Sequence, residues 1–230
     1  KVPVMFSSFP DGDIHAIVEN IADCKNQSVL LFHRLYPNQN SRLIQLFLTL
    51  DVLKEHGAKD ISVFVPYLPY SRQDKRYIPG EAISADALCR MLKGSGCTDL
   101  YTLDCHFMKG NPEEKRAGLK VHNISVGNRL MKAYKKSIGT DKFDVVGPDS
   151  GSSYLTVDHG GKNMHKTRGD YKDLTLSDSY RDIESLIDDH IEHTHDNVLI
   201  IDDMISTGST IIKATERLRA KGIKNIAVAT

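Results

Sequence analysis

Apolar, β-branched runs alternate along the chain with stretches in which apolar residues recur at helical spacing. Residues 43–53 carry apolar side chains three or four positions apart and are followed by Gly57, which predicts a helix closed by a glycine. Ser84 is expected to cap a second helix that runs to about residue 93. Further helices are predicted near 126–138 and 209–221, and strands at 28–33, 60–66, 99–104, 143–147, 197–202 and 225–230. This alternation predicts an α/β fold in which mainly parallel sheets are flanked by helices on both faces.

One segment of the first half of the chain is echoed in the second half. Residues 53–63 read LKEHGAKDISV and residues 218–228 read LRAKGIKNIAV, so each combines a basic helix end, a glycine, a lysine and a strand. A glycine after a helix is common by itself, but the repeated rhythm around it predicts two similar α/β domains. We place the division near 117–120, which gives domains 1–118 and 119–230. The connections 67–83 and 167–195 are long enough to be lids or binding loops.

Composition and charge narrow the class of protein. The 230 residues are 40% hydrophobic and 26% charged, which suits a globular protein with a sizeable core. Lys and Arg together number 30, as do Asp and Glu, so a general nucleic-acid partner is not expected, although a local cationic pocket for a phosphorylated metabolite is compatible with this balance. No apolar run approaches the ~20 residues that cross a bilayer, so no membrane partner is expected. Four scattered cysteines without a C-x-x-C pair favour reduced, buried thiols in a cytoplasmic protein over a zinc site.

The most informative stretch is VLIIDDMISTGST, residues 198–210. An apolar strand ends in Asp202 and Asp203, and a loop of small residues then leads into a helix, whose N-terminal N–H groups and dipole favour an anion. Hydroxyl donors from the loop suit a phosphate, and the two acids suit sugar hydroxyls or a metal-bound water. The simpler alternative is a strand followed by an ordinary capped helix. The stretch lacks the spacing of a Walker loop and resembles the phosphoribosyl-binding motif of phosphoribosyltransferases and ribose-phosphate pyrophosphokinases.

Six further blocks occur in a fixed order along the chain. They read FPDGD (9–13), YSRQDKR (70–76), GEAISA (80–85), TLDCH (102–106), VVGPDSG (145–151) and KTR (166–168). Together with the acidic loop they resemble the ribose-phosphate pyrophosphokinase family over essentially the whole chain. The resemblance implies two tandem phosphoribosyltransferase-like domains, with ATP bound on the side of the first and ribose 5-phosphate by the loop of the second. It also implies transfer of the β,γ-diphosphoryl group of MgATP to the C1 hydroxyl of ribose 5-phosphate, giving AMP and phosphoribosyl diphosphate (PRPP).

The same resemblance implies a role for individual residues. The ATP-binding residues would be Phe9, Asp11, Asp13, Arg72, Gln73 and Asp74. The residues that bind ribose 5-phosphate would be Arg168, Asp202, Asp203, Ser206, Thr207, Gly208, Ser209 and Thr210. His106 and Asp149 would bind the Mg²⁺ cofactor, and Lys166 with Arg168 would stabilise the transition state. Because the 9–13 segment of the family reaches into a neighbouring subunit, a homo-oligomer, either a dimer or a hexamer, is also implied.

Some positions depart from the family pattern, and two alternatives stay open. Asp13 stands where the family usually has Glu, Ser206 stands where many members have Asp, and the acidic stretch 178–192 has no clear counterpart. A phosphoribosyltransferase that consumes PRPP is one alternative, but it would have no use for the 70–76 and 166–168 blocks. A non-catalytic regulatory homologue is the other, and it would tolerate loss of Lys166, Arg168 or His106, all of which are present.

Overall fold

A computed structural model describes residues 1–157, 160–164 and 194–230 of the chain. The chain divides into two compact units, 1–125 and 126–230, and each is described here by itself. None of the helices in the described ranges is long and apolar enough to cross a membrane.

The first unit is built on a five-stranded sheet of order β3-β4-β5-β7-β6. Strands β3 (Ser28–Phe32), β4 (Asp60–Val65), β5 (Asp99–Leu103) and β7 (Leu119–Ile124) are parallel, and β6 (Glu113–Arg116) pairs antiparallel with β7. Two helices, α1 (Gln39–Glu55) and α2 (Ser84–Gly94), connect the first three of these strands. Apolar side chains of both helices and of the sheet form one buried core, which includes Leu46, Leu50, Val63, Leu92 and Leu100.

A β-hairpin precedes this sheet. Strands β1 (Val4–Ser8) and β2 (Ile14–Val18) pair antiparallel, with Ser8 opposite Ile14 at the end nearest the turn. A short 3-10 turn, Ile21–Cys24, then leads to β3. The sequence pattern did not predict this hairpin, because each of its strands is short and half exposed. Its turn carries the FPDGD block.

The second unit contains a parallel sheet of order β11-β10-β8-β9. Its strands are β8 (Asp144–Gly147), β9 (Lys162–Asn163), β10 (Asn197–Ile201) and β11 (Asn225–Ala229). Its helices are α3 (Gly127–Ile138), α4 (Ser153–Thr156) and α5 (Ser209–Ala220), and a 3-10 turn at Ser150–Ser152 precedes α4. Strand β10 lies between β8 and β11, and its apolar residues are almost fully buried. A strand buried on both faces reads as a continuous apolar run, which is why VLII was readily predicted.

The helix ends explain the echo in the sequence. Gly57 after α1 and Gly222 after α5 both adopt left-handed backbone angles, with φ of 79° and 88°. In each case the glycine N–H donates to the carbonyl three residues earlier, and the next N–H donates to the carbonyl five residues earlier, at 2.9–3.1 Å. This is the Schellman arrangement, in which glycine is favoured because it has no Cβ. The repeated letters therefore record a repeated helix-to-strand junction.

The predicted strands and long helices agree with the structure to within a residue or two, apart from the start of α1 at Gln39. Ser84 is a correction: it is the first residue of α2, and Ile83 occupies the N-cap position without a side-chain hydrogen bond. The Ala85 N–H donates instead to the Gln73 carbonyl at 3.2 Å, so main chain from the preceding loop does the work of a capping side chain.

The two units divide after Ser125 rather than after residue 118. Strand β7 pairs with β5 over its length, from Asp99 opposite Lys120 to Leu103 opposite Ile124. The expected division therefore falls inside the β6–β7 hairpin of the first sheet. The cluster of Gly and charged residues at 117–120 suggested a junction between domains, but strand pairing decides to which unit the following strand belongs.

Candidate active site

The acidic loop follows the most buried strand of the second unit. Asp202 and Asp203 come directly after β10, and the Asp202 N–H donates to the Ala229 carbonyl at 3.2 Å. Gly208, with φ of 81°, is the N-cap residue of α5 and has no side chain to cover the N–H groups of the first turn. Thr207 and Ser209 are exposed, with their hydroxyl oxygens 3.2 Å apart. The loop thus presents backbone and hydroxyl donors to an anion such as a phosphate.

A third carboxylate lies close to this loop. Strands β8 and β10 are parallel neighbours, so Asp149, which follows β8, is at the same edge of the sheet as Asp202 and Asp203. Burial, followed by the negative charges of Asp203 and Asp149, together raise the pKa of Asp202 to about 7. Carboxylates that repel one another in this way are stabilised by a cation or by hydroxyl donors of a ligand.

Close packing holds the turn that carries Asp149. A Cβ added to Gly147 would lie 2.0 Å from Asn163 Oδ1 and 2.6 Å from Ser152 Oγ, so only glycine fits at the end of β8. The Ser152 hydroxyl donates to the Asp149 carbonyl at 2.9 Å, and the Gly151 N–H donates to Asp149 Oδ1 at 2.7 Å. Sequence reasoning did not single out Gly147 or Asn163; the glycine before Pro148 was the available signal.

In the first unit, the segment Arg72, Gln73 and Asp74 is attached through its main chain. The Gln73 carbonyl accepts from Ala85 at the start of α2, and the Asp74 carbonyl accepts from the Arg116 guanidinium at 2.7 Å. The Arg72 side chain is exposed, whereas those of Gln73 and Asp74 are half-buried. The main chain of the segment is thus held by the carbonyls of Gln73 and Asp74, while the exposed side chain of Arg72 is accessible to a ligand from solvent.

In the rest of the connection 67–83, the side chain of Glu81 forms hydrogen bonds that hold the loop together. Its carboxylate accepts from the Tyr77 N–H at 2.7 Å and from the Ile78 N–H at 3.3 Å. The hydrogen bond from Tyr77 is the main reason that the pKa of Glu81 lies below its ordinary value. The long connection is therefore an internally bonded loop, and the Pro79-Gly80-Glu81 sequence was its turn signal.

His106 follows β5 and is flanked by two buried residues. The Cys105 N–H donates to Asn123 Oδ1 at 2.8 Å, and the Phe107 ring lies 4.3 Å from the guanidinium carbon of Arg116. Since Arg116 also binds the Asp74 carbonyl, the segment of His106 and that of Arg72 are linked within the first unit. Sequence reasoning missed Arg116, because the run EEKR on β6 looks like an ordinary charged surface.

Phe9, Asp11 and Asp13 lie at the exposed turn of the β1–β2 hairpin. The Phe9 N–H donates to the Asp13 carbonyl at 2.8 Å, and the Asp13 N–H donates to Asp11 Oδ1 at 3.1 Å. The Phe9 ring is 52% exposed, and its centroid is 5.4 Å from that of the His15 ring. An exposed aromatic ring and two exposed carboxylates on a bonded turn are available to a ligand.

The remaining predicted residues divide as follows. Lys166 and Arg168, like the acidic stretch 178–192, lie outside the described residues. His106 belongs to the first unit and Asp149 to the second, so a metal site that uses both stays a prediction. Within the described ranges there is no group of three or more His, Cys, Asp or Glu side chains arranged to hold a metal.

All four cysteines are buried thiols, as predicted. Burial raises the pKa of Cys89 to about 11, and it raises the pKa of both Cys97 and Cys105 to about 12. These three thiols therefore stay protonated at neutral pH and are poor nucleophiles.

A buried parallel strand that ends in two acids, followed by a small-residue loop and a helix N-terminus, is typical of a phosphoribosyltransferase-like α/β fold. Models of known families agree with this class. The N-terminal domain of ribose phosphate pyrophosphokinase matches residues 1–96, and the phosphoribosyl transferase domain matches residues 162–230.

Individual relatives extend the match over almost the whole chain. A ribose-phosphate pyrophosphokinase of Thermococcus kodakarensis is 32% identical over 234 residues, which cover 98% of this chain and 75% of the relative. One from Methanopyrus kandleri is 29% identical over 227 residues, covering 96% and 72%. The crystal structure of a phosphoribosylpyrophosphate synthetase from Mycobacterium smegmatis superposes with a TM-score of 0.72 at 25% identity, covering 100% of this chain and 72% of that one. The chain belongs to the ribose-phosphate pyrophosphokinase family. Membership confirms the predicted fold class and the predicted class of enzyme.

Proposed function

We propose that the protein forms PRPP by transferring the β,γ-diphosphoryl group of MgATP to the C1 hydroxyl of ribose 5-phosphate, with release of AMP. The observation that carries the proposal is the loop after β10, where carboxylates and an uncapped helix N-terminus share one edge of the sheet. In such a loop the carboxylates can bind the hydroxyls of a sugar phosphate, and the helix N-terminus can bind its phosphate group. The C1 hydroxyl oxygen bonds to the β-phosphorus and loses its proton to solvent. The bond from that phosphorus to the oxygen bridging it to the α-phosphorus breaks, and this oxygen leaves as part of AMP.

The second unit supplies the sugar-phosphate side. Asp202 and Asp203 accept hydrogen bonds from the ribose hydroxyls in their ionised form, because an ionised carboxylate is an acceptor only. The phosphate is bound by donors of the loop and of the first turn of α5, contributed by Ser206, Thr207, Gly208, Ser209 and Thr210. Ser206 in place of an acid lowers the repulsion between the loop and the phosphate.

The first unit supplies the ATP side. Arg72 pairs with phosphate oxygens or stacks on the base, and Gln73 and Asp74 complete the segment. The exposed Phe9 ring stacks on adenine, and Asp11 and Asp13 accept from its amino group. The family resemblance implies that this exposed turn acts on the ATP of a second copy of the chain, and we therefore propose a homo-oligomer, a dimer or a hexamer.

Mg²⁺ is the proposed cofactor, and the donor set suits it. Asp149 lies among carboxylates whose charge already disfavours a further negative group, and carboxylate oxygens are the hard ligands that Mg²⁺ prefers. His106 is proposed as the second protein ligand. Since Mg²⁺ keeps several waters and uses few protein ligands, a closed protein cage is not required. When bound with ATP, the ion neutralises charge on the transferred phosphates.

Lys166 and Arg168 are the proposed catalytic residues. Negative charge develops on oxygens around the reacting phosphorus, and positioned cations stabilise that charge. The sugar hydroxyl is itself the nucleophile, so no side chain of the protein forms a covalent intermediate. Arg168 also contacts ribose 5-phosphate. A cytoplasmic location is proposed with this activity, because buried free thiols are typical of a reducing compartment.

The proposal is tested by mixing the protein with MgATP and ribose 5-phosphate and following phosphorus NMR. AMP and PRPP are expected to appear together. The Lys166→Ala variant is expected to lose turnover, and Lys136→Ala, which alters an exposed lysine of α3, serves as the matched control and is expected to keep it.

Each of the other possible outcomes would indicate a different function for the protein. ADP with a bisphosphorylated sugar would mean monophosphoryl transfer and would refute the proposed reaction. Binding of ribose 5-phosphate without turnover would favour a regulatory homologue. Release of diphosphate from added PRPP and a nucleobase would favour a phosphoribosyltransferase.

A further inference from the structure

The Arg116 guanidinium joins three parts of the first unit. Its Nε donates to Asp86 Oδ1 at 2.7 Å, in the first turn of α2, and one of its terminal nitrogens donates to the Asp74 carbonyl, also at 2.7 Å. The central carbon of the guanidinium, Cζ, lies 4.3 Å from the centroid of the Phe107 ring. The side chain is only 14% exposed. A long charged side chain held in this way is part of the framework rather than a solvated surface group.

The contacts require an arginine. The guanidinium is a planar fork that donates in several fixed directions while its face lies against an aromatic ring. A lysine at this position would keep the charge but could not bind Asp86 and the Asp74 carbonyl in fixed directions and also stack on Phe107. The charge of Arg116 is also balanced locally, because Glu114 Oε1 lies 3.5 Å from another of its nitrogens.

The three contacts of Arg116 connect segments of the chain that lie on the proposed ATP side of the site. Asp74 belongs to the segment with Arg72 and Gln73, and Phe107 is adjacent to His106. Asp86 fixes the start of α2, whose Ala85 N–H holds the Gln73 carbonyl at 3.2 Å. Through these contacts Arg116 determines where the main chain of both segments lies.

We propose that Arg116 is a positioning residue for the nucleotide side of the site, an assignment that rests on the proposed function. It does not touch the substrate. It holds the 72–74 segment and the segment of His106 in the relative positions in which they bind MgATP. The loop for ribose 5-phosphate belongs to the other unit and has no part in this arrangement.

Steady-state kinetics of Arg116→Lys and Arg116→Met tests the assignment. The KM for ATP is expected to rise by roughly tenfold or more, because small displacements of binding groups weaken a site steeply. The KM for ribose 5-phosphate is expected to stay within about twofold of its value in the parent protein, because the substitution disturbs only the groups that bind ATP. Lys120→Met is the matched control, because Lys120 lies on the adjacent strand β7 and forms an exposed ion pair with Glu113, 3.0 Å long. This variant is expected to leave both constants unchanged.

Hydrogen exchange gives a readout that needs no activity. If Arg116 anchors the segment, the Ala85 amide, which donates to Gln73, exchanges faster in Arg116→Lys than in the parent protein, and not in Lys120→Met. This result is obtained even if the parent protein makes no PRPP, so a failure of the proposed function is distinguishable from a failure of the Arg116 assignment. If Arg116→Met does not fold, Arg116→Lys decides. An unchanged KM for ATP, equal rises for both substrates, or unchanged exchange at Ala85 would each overturn the assignment.

Discussion

Among the glycines of the described residues, Gly147 is the one at which an added methyl group would meet the shortest contact. A Cβ there would lie 2.0 Å from Asn163 Oδ1 and 2.6 Å from Ser152 Oγ, distances that real Cβ atoms do not show. Ser152 is fully buried and Asn163 is half-buried, so neither side chain can swing freely into solvent. The Gly147→Ala substitution must therefore displace β9 or the turn that carries Asp149.

The magnitude follows from two opposing effects. Overpacking a well-packed site costs about 1–3 kcal/mol, whereas replacing glycine stabilises by about 0.4–1 kcal/mol through the unfolded chain. With two contacts this short, we expect the upper part of the first range and a net loss near ~2 kcal/mol in the free energy of unfolding. The midpoint of thermal unfolding should fall by roughly 8–16 °C if the second unit unfolds alone, or by roughly 4–8 °C if the chain unfolds as one.

Gly94→Ala is the matched control. Gly94 is the last residue of α2, and no atom lies within 4 Å of a Cβ built there. The same change in the unfolded chain should therefore raise stability, by roughly 0.5–1 kcal/mol. Calorimetry and urea unfolding of both variants measure the two signs. Equal shifts in the same direction, or a Gly147→Ala protein as stable as the parent, would refute the close-packing argument.

Three further predictions concern pH, thiol reactivity and the hairpin. Burial alone would raise the pKa of Asp144, but hydrogen bonds from His195 and Thr194 outweigh it, so the pKa lies below 3.8; this stabilisation is present above pH 3.8 and is lost as pH falls through the lowered pKa. Asp144→Asn should accordingly destabilise by up to about 1 kcal/mol at pH 7, because solvent screens a partly exposed group, and by progressively less as pH falls below 3.8; urea unfolding measures both. Phe9→Ala should raise the KM for ATP with no change in the unfolding midpoint, and a lower midpoint would place Phe9 in a core instead. A disulfide reagent at pH 8 should label no thiol until urea unfolds the protein, because every cysteine is buried, namely Cys24, Cys89, Cys97 and Cys105.

Much of the fold follows from local pattern. The apolar run 198–201 predicts a buried strand because it has to be covered on both faces, and the glycines at 57 and 222 predict helix ends because each adopts a left-handed angle. The loop at 202–210 can likewise be predicted from the sequence, because its functional groups come from consecutive residues at the end of one strand, in one turn and at the start of one helix. Such features need only short-range information, which the sequence contains directly.

Other features depend on contacts between distant parts of the chain. Strand β7 belongs to the first unit because it pairs with β5, whereas the division predicted after 118 rested on a local cluster of Gly and charged residues. The Gln73 carbonyl takes the place that Ser84 was expected to fill at the start of α2, because the loop folds back onto the helix. In the same way, Arg116 is one charged residue among four until the fold brings Asp74, Asp86 and Phe107 around it. The sequence by itself determined the family, the principal strands and helices and the phosphate loop, whereas only the tertiary structure decided which side chains hold the site in place, because those contacts join residues that are far apart along the chain.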